Sequence, residues 1–140
     1  MKAYLSRRYR FSASHRLHSA SMSAAENQST YGKCNNPHGH GHNYTVEVTV
    51  SGAVDGQTGM VCNLEDLDSF MEREVLARYD QENLNTLQEF VQEVPTTENL
   101  CIRIYDLVHR GFTYAHLERV RLEETMMNSF EYWGSATPLF

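Results

Sequence analysis

Two stretches of the chain alternate apolar and polar residues with a period of two, which predicts two β-strands, each with one buried face. The first runs over residues 3–15 and ends in His15, and the second runs over residues 40–52 and begins with His40 and His42. All three histidines have the parity of the buried faces. The apolar residues that define those faces are Tyr9, Phe11 and Ala13 in the first strand and Tyr44, Val46, Val48 and Val50 in the second.

Antiparallel pairing of these strands would place the three imidazoles together at one end of the strand pair. Side chains at i and i+2 of a strand point the same way, with Cα atoms roughly 6.5–7 Å apart, so His40 and His42 can converge on one ion with His15. Zinc takes three protein ligands and keeps a fourth position open when it is catalytic. The alternative is a flexible metal-scavenging H-G-H-G-H tract with an ordinary surface histidine at position 15. Placement by two independent alternation patterns favours the zinc site.

Apolar residues spaced three and four positions apart predict two helices in the middle of the chain. The first follows Asn63, an N-cap residue with acids in the next turn, and extends to about Arg78. The second has Thr96 or Thr97 as its N-cap and ends at Gly111. Their apolar faces comprise Leu64, Leu67, Phe70, Met71 and Val75 in the first helix and Leu100, Ile104, Leu107 and Val108 in the second.

Period-two alternation returns over residues 116–125, and a turn leads to a short last strand over residues 130–133. Residues 16–39 are expected to form a long connection without regular structure, which is more often functional than idle. Residues 79–86 are expected to form a polar loop. The element order β-β-α-α-β-β predicts an α+β fold in which one antiparallel sheet packs against a layer of helices.

The composition is that of one globular domain spanning residues 1–140, with 41% hydrophobic and 11% aromatic residues. No apolar run reaches the roughly 18–20 residues that span a membrane, and the first residues do not resemble a signal peptide. The three cysteines are odd in number and far apart, which predicts a cytoplasmic protein without a disulfide framework. A sequence pI near 5.6 and the absence of a basic stripe argue against nucleic-acid binding.

The net charge of −6 is unevenly distributed. Residues 1–46 contain six basic residues and one acid, Glu26, whereas the rest of the chain has six basic residues and seventeen acids. Two interpretations stay open: an anionic ligand near the first strand, or an ordinary solvated strand face. The basic residues of this segment are Lys2, Arg7, Arg8, Arg10, Arg16 and Lys33.

Three further residues are candidates for chemistry. Glu124 has the parity of the buried Val120 and Leu122, so its carboxylate needs a partner: an arginine, or a ligand with paired N–H donors such as a 2-amino-4-oxo-pyrimidine edge. Cys34 lies shortly before His40, where zinc would favour the thiolate and a general-base or nucleophilic role. Asp80 is a candidate proton-transferring or orienting acid.

Six motifs together resemble the 6-pyruvoyltetrahydropterin synthase family. They extend from Phe11 to Thr125 and are F-S-A-S-H-R-L, Y-G-K-C-N-N-P-H-G-H-G-H-N-Y, T-G-M-V, D-Q-E-N-L-N, V-P-T-T-E-N and E-E-T. The resemblance implies a tunnelling fold (T-fold), in which the sheets of several subunits join into a barrel, and a homohexamer of two trimeric rings. It also implies a zinc-dependent lyase that converts 7,8-dihydroneopterin triphosphate to 6-pyruvoyltetrahydropterin and triphosphate.

The resemblance assigns roles residue by residue and leaves His38 outside the metal's ligands. The implied zinc ligands are His15, His40 and His42, the implied catalytic residues are Cys34 and Asp80, and the implied pterin-binding residues are Thr96, Thr97, Glu98 and Glu124.

One position departs from the family pattern. The family has a histidine directly after its catalytic aspartate, but here Gln81 follows Asp80, and an amide cannot carry a proton near neutral pH. His38 or the metal could handle the proton instead, or the chain could be inactive or act slowly on a related pterin. One alternative function is therefore a pterin-binding protein with weakened catalysis. A second, implied by the resemblance, is a 6-carboxytetrahydropterin synthase of the queuosine route. The spacing of Cys34 from the histidine tract favours the pyruvoyl type.

Overall fold

The computed structural model describes residues 1–135, so residues 136–140 of the predicted 1–140 domain lie outside the described part. Five strands form one sheet in the order β3-β1-β2-β4-β5. The strands are β1 (Lys2–His15), β2 (His40–Ala53), β3 (Glu82–Asn83), β4 (His116–Glu123) and β5 (Ser129–Tyr132). The helices are α1 (Ala24–Tyr31), α2 (Leu64–Met71), α3 (Ala77–Tyr79) and α4 (Thr97–Gly111). Among the described residues, no helix is long and apolar enough to cross a membrane.

The two longest strands pair antiparallel over their whole length, as their alternation predicts. The register runs from Lys2 opposite Ala53 to His15 opposite His40. The predicted inward face of β2 is fully buried: Tyr44, Val46, Val48 and Val50 are 0% exposed. The pairing therefore anchors the histidine-bearing strand ends on a rigid core.

The helical layer covers one face of the sheet through α2 and α4. Asn63 caps α2 by accepting a hydrogen bond from the amide N of Glu65 at 2.8 Å, and Thr96 caps α4 by accepting one from the amide N of Asn99 at 3.1 Å. The predicted apolar faces are confirmed, except that Leu64 and Leu107 stay half-buried. The buried members are Leu67, Phe70, Met71, Val75, Leu100, Ile104 and Val108.

The prediction of a structureless connection over residues 16–39 is wrong. Helix α1 forms there, and its start is fixed by a capping box in which Ser23 and Glu26 each accept a hydrogen bond from the other's backbone N–H. A 3₁₀ turn, Gly32–Asn35, follows. Because only Asn27 of α1 is buried, the helix has no apolar face that spacing could detect.

The sheet is mixed rather than wholly antiparallel. Residues predicted to be a polar loop contain β3, which pairs parallel with β1 at Ala13 and Ser14. Two residues are too few to show alternation, which explains why this strand was not predicted. The first predicted helix is interrupted by a π-helical turn, Glu72–Leu76, which joins α2 to α3.

A β-bulge interrupts the pairing of β2 with β4, between Thr49 and Val50 of β2. It turns Leu117 towards the core alongside Val120 and Leu122. Strict period-two alternation from residue 116 therefore does not describe this strand.

Candidate metal centre and its surroundings

The antiparallel register brings the three predicted histidines together. His15 lies directly opposite His40, and His42 lies opposite Ala13. The ring centroids are 4.7 Å apart for His15 and His40, 5.0 Å for His15 and His42, and 4.8 Å for His40 and His42. One nitrogen of each ring lies within 4.8 Å of the others. This spacing allows all three imidazoles to bind one ion.

The orientation of His15 is fixed from the helical layer. Its Nδ1 donates a hydrogen bond to the carbonyl oxygen of Pro95, just before α4, at 2.7 Å. The Nε2 atom therefore carries the lone pair and lies 3.1 Å from Nε2 of His40. A histidine ligand usually has its second ring nitrogen held in this way by a carbonyl or a carboxylate.

His42 shows that these residues fit a metal ion. Its Nε2 is buried and, in the described part of the chain, has no hydrogen-bond partner, which is costly unless a ligand satisfies the atom. Burial lowers the pKa of His15 and of His42, in the second case against the charge of Glu124. Both rings are thus favoured in the neutral form that binds metals. Three imidazoles suit zinc and other borderline transition metals.

Glu124 lies beside the histidine cluster, as its parity predicts. Its Oε2 is 3.8 Å from Nε2 of His15 and 3.8 Å from Nε2 of His42. The hydroxyl of Thr97 donates a hydrogen bond to the same carboxylate. Within residues 1–135 Glu124 makes no ion pair with an arginine, so the alternative of an arginine salt bridge is not what the structure shows.

The first residues of α4 and its N-cap differ in how closely they approach this site. Thr97, the first helical residue, is 2% exposed and contacts Glu124 directly. Thr96 serves as the N-cap. Glu98 is exposed in the first turn, where an acid is favoured by the helix dipole. The structure therefore brings Thr97 to the site, with Thr96 and Glu98 on either side of it in the chain.

Cys34 lies in the 3₁₀ turn that follows α1 and is half-buried. Its carbonyl oxygen accepts a hydrogen bond from the amide N of Leu17 at 2.8 Å. The side chain of the next residue, Asn35, donates to the carbonyl oxygen of Leu17 at 2.8 Å. These bonds tie the cysteine-bearing turn to the segment that directly follows His15.

Asp80 and Gln81 lie on the outer edge of β1 instead. Asp80 Oδ1 accepts a hydrogen bond from the amide N of Ser12 at 2.9 Å, and the amide N of Gln81 donates to the carbonyl oxygen of Ser12 at 2.6 Å. Both side chains are exposed. Among the contacts of residues 1–135, none joins Asp80 to Cys34 or to the histidines.

Two positions that support the site were not predicted. Gly39, directly before His40, has φ +72°, and a Cβ there would lie 3.0 Å from the carbonyl oxygen of His15. Asn85 brackets the residue after His15: its Oδ1 accepts from the amide N of Arg16 at 2.7 Å and its Nδ2 donates to the carbonyl oxygen of Arg16 at 2.9 Å. The asparagine offered no signal in the sequence, whereas a glycine inside H-G-H could have indicated a close backbone approach.

Known proteins resemble this chain in sequence and in fold. A profile of the family described as 6-pyruvoyl tetrahydropterin synthase matches residues 4–135. The chain is 46% identical over 134 residues to the 6-pyruvoyl tetrahydrobiopterin synthase of Drosophila melanogaster, covering 94% of this chain and 80% of that protein. It is 46% identical over 134 residues to that of Homo sapiens, covering 95% and 92%. The solved structure of Caenorhabditis elegans 6-pyruvoyl tetrahydropterin synthase superposes with a TM-score of 0.92 at 41% identity, covering 96% of this chain and 97% of the other.

Proposed function

The chain belongs to the 6-pyruvoyl tetrahydropterin synthase family and has its α+β tunnelling fold, and on this premise we propose that it is a zinc-dependent lyase acting as a single domain over residues 1–140. The substrate is 7,8-dihydroneopterin triphosphate, and the products are 6-pyruvoyltetrahydropterin and triphosphate. The observation that carries the proposal is the cluster of the buried His15 with the half-buried His40 and His42, with the carboxylate of Glu124 3.8 Å from two of its nitrogens.

The three histidines would hold the zinc ion. The chemistry that zinc supplies in such a site is polarisation of a substrate oxygen, which acidifies the adjacent C–H bond. His15 is the least adaptable of the three ligands, since it is 1% exposed and bonded to the carbonyl oxygen of Pro95. It sets the position to which the other two rings converge.

Glu124 anchors the pterin ring in this proposal. A carboxylate can accept both N–H bonds that a 2-amino-4-oxo-pyrimidine edge offers side by side, and such bonds to a charged group are strong. Thr97 donates to the carboxylate and so orients it for the ring. Thr96 and Glu98 are proposed as further pterin-binding residues, and Thr96 also holds the start of α4 as its N-cap.

Cys34 is the proposed proton carrier, because its turn is bonded to the residues after His15. Asp80 is proposed as the second catalytic acid. Its carboxylate is bonded to Ser12 on the β1 edge, so it acts from that edge. Cys62 and Cys101 have no place in this chemistry.

We propose a homohexamer of two trimers in the cytoplasm. In a single subunit the outer edges of the sheet are formed by β5 on one side and by β3 and the rest of β1 on the other. A closed ring would pair these edges, and full closure removes the aggregation hazard of open strand edges. The three cysteines are free in the structure, as expected in a reducing compartment. Size-exclusion chromatography with light scattering measures the assembly.

A second function is favoured by one observation, the glutamine at position 81. Gln81 cannot supply the proton that the family histidine would hold, so the chain could bind the pterin without rapid turnover. The 6-carboxy product is the remaining alternative within the same fold.

The test is to incubate zinc-loaded protein with 7,8-dihydroneopterin triphosphate and to measure triphosphate release, with the pterin product identified by mass spectrometry. We expect release of triphosphate, a 6-pyruvoyl product, and loss of turnover in Cys34→Ala. Tight binding without release would instead establish the binding protein, and a 6-carboxy product would reassign the reaction.

A further inference from the structure

Arg16 is a half-buried arginine without a carboxylate partner. Its Nε donates to the carbonyl oxygen of Asn35 at 3.1 Å, and within residues 1–135 its two terminal nitrogens make no hydrogen bond or ion pair. Two other arginines of the basic N-terminal segment are paired: Arg7 with Asp68 at 2.9 Å, and Arg8 with Glu47 at 2.7 Å. Arg10 has no carboxylate partner among the described residues either, but it is exposed on the strand. Arg16 is half-buried and Arg10 is exposed, so the anionic ligand that this segment indicates is better matched to Arg16.

The backbone of Arg16 is held as firmly as its Nε. The side chain of Asn85 bonds both its amide N and its carbonyl oxygen, while Asn35 is itself anchored to Leu17. The guanidinium group is thus presented in a fixed direction. An arginine fixed in this way loses little side-chain entropy on binding and offers the planar fork that matches a phosphate.

Arg16 lines a cavity together with one of the candidate metal ligands, His15. The cavity has a volume of about 200 Å³, and its lining includes Ser14, His15, Arg16 and His38. In the described part of the chain no acidic residue lines it. Arg16 and Asn85 also line a neighbouring cavity of about 560 Å³, whose lining includes His18 and one acid, Glu93. The smaller cavity thus places one arginine and one further histidine beside a candidate metal ligand.

We propose that Arg16 and His38 form a subsite for the triphosphate group of the substrate, and for the triphosphate that leaves. This inference rests on the proposed function, since it assigns a place to the leaving group of that reaction. Arg16 supplies the charge and a bidentate donor, and His38 supplies a ring N–H. Because Arg16 directly follows His15, the triphosphate would lie beside the metal centre, where Glu124 also anchors the pterin ring.

The test measures binding of inorganic triphosphate to the full-length zinc-loaded protein by calorimetry, with zinc content checked before and after. Arg16→Gln is expected to weaken binding by roughly 10- to 100-fold, the usual effect of losing a charged hydrogen-bond donor. Arg110→Gln is the matched control, because Arg110 also donates through Nε to a main-chain carbonyl, that of Asp106, at 3.2 Å. It should bind triphosphate like the unaltered protein.

A second pair of variants tests the histidine. His38→Ala should weaken triphosphate binding by about fivefold, as expected for one neutral hydrogen bond. His109→Ala, at an exposed histidine on α4 far along the chain, should not. Equal affinities for His38→Ala and His109→Ala would remove His38 from the subsite.

A structural role for Arg16 is separated from an anion-binding role by two further measurements. Arg16→Lys keeps the positive charge but loses the two parallel N–H donors of the guanidinium group. Its affinity for triphosphate should therefore lie between those of the unaltered protein and Arg16→Gln. The affinity for dihydroneopterin, which has no phosphate, should be the same in Arg16→Gln as in the unaltered protein. An equal loss for dihydroneopterin and for triphosphate would overturn the proposal, as would unchanged triphosphate binding in Arg16→Gln.

The outcome also separates this inference from the proposed function. If the protein binds inorganic triphosphate through Arg16 but releases none from 7,8-dihydroneopterin triphosphate, the lyase function fails and the subsite stands. If the substrate is turned over while Arg16→Gln binds triphosphate normally, the subsite alone fails.

Discussion

The two glycines of the histidine tract differ in whether their backbone position tolerates a side chain. Replacing each of them by alanine in turn tests this difference. Gly39 has φ +72°, and its amide N donates to the carbonyl oxygen of Asn36 at 2.9 Å. A Cβ at position 39 would lie 3.0 Å from the carbonyl oxygen of His15. Gly41 lies within β2, and a Cβ there would lie 3.7 Å from the carbonyl oxygen of Ala13, an ordinary contact.

Gly39→Ala is therefore expected to destabilise the protein. The left-handed backbone alone costs an L-residue about 1–2 kcal/mol, and the short contact adds to this because its other atom belongs to the main chain. Gly41→Ala should be neutral or stabilising by up to about 1 kcal/mol, since alanine lowers the entropy of the unfolded chain and fits the strand. The two variants differ by one methyl group each, two positions apart.

The consequence for the site follows from the strand register. Gly39 separates His40 from the turn that contains Cys34, and His15 and His40 are directly opposed with Nε2 atoms 3.1 Å apart. A backbone shift at position 39 moves one ring away from the other. We expect Gly39→Ala to lower zinc affinity as well as stability, and Gly41→Ala to lower neither.

The assay is thermal unfolding at one protein concentration, with and without zinc, alongside a competition titration of zinc against a chromophoric chelator. For a chain of this size, 1 kcal/mol corresponds to roughly 4 °C in the unfolding midpoint. Equal destabilisation by the two substitutions would refute the steric reasoning. Unchanged zinc affinity in Gly39→Ala would refute the link between this backbone conformation and the metal centre.

Three substitutions at the site and one outside it test the remaining reasoning. His40→Ala should lose zinc and turnover while keeping the fold, and full zinc occupancy by metal analysis would contradict the ligand assignment. Glu124→Gln should weaken pterin binding by about 1.5–3 kcal/mol with zinc retained; if zinc is lost instead, Glu124 is a metal ligand. Gln81→His should raise triphosphate release, since general acid–base help is worth about 10²–10⁴-fold, and Cys34→Ala should abolish the gain. Hydrogen bonds from Arg7 and Tyr9 lower the pKa of Asp68, so its contribution to stability is present above the unfolded pKa of about 3.9 and is lost as pH falls through the folded value. Asp68→Asn should therefore destabilise the protein at pH 7 and converge with the unaltered protein in acid, as measured by urea unfolding across pH.

Period-two alternation allowed the centre of the site to be predicted because a strand gives each residue only two directions. Once the antiparallel register is fixed by the apolar faces, His15, His40 and His42 must meet. The same reasoning places Glu124 beside them, across β2. The caps and apolar faces of α2 and α4 were predictable for the corresponding reason, a period that repeats over several turns.

The parts that could not be predicted are those without a repeating pattern. Helix α1 buries only Asn27, so only its capping box marks it, and β3 is two residues long. The bonds that fix Cys34 and Arg16 depend on the side chains of Asn35 and Asn85. In a sequence, a loop asparagine that is solvated cannot be distinguished from one whose side chain bonds a backbone segment. These supporting hydrogen bonds could therefore be identified only from the folded structure.

Position 81 shows how the backbone and the chemistry of the site can be separated. Gln81 has φ 63°, a left-handed conformation that non-glycine residues rarely adopt. The conformation is held from outside the residue, because Ser12 bonds both the amide N of Gln81 and the carboxylate of Asp80. Histidine is among the residues that are enriched in this region of the backbone map, along with asparagine and aspartate. Gln81→His therefore replaces the side chain without adding backbone strain, and a change in turnover can be attributed to the imidazole itself.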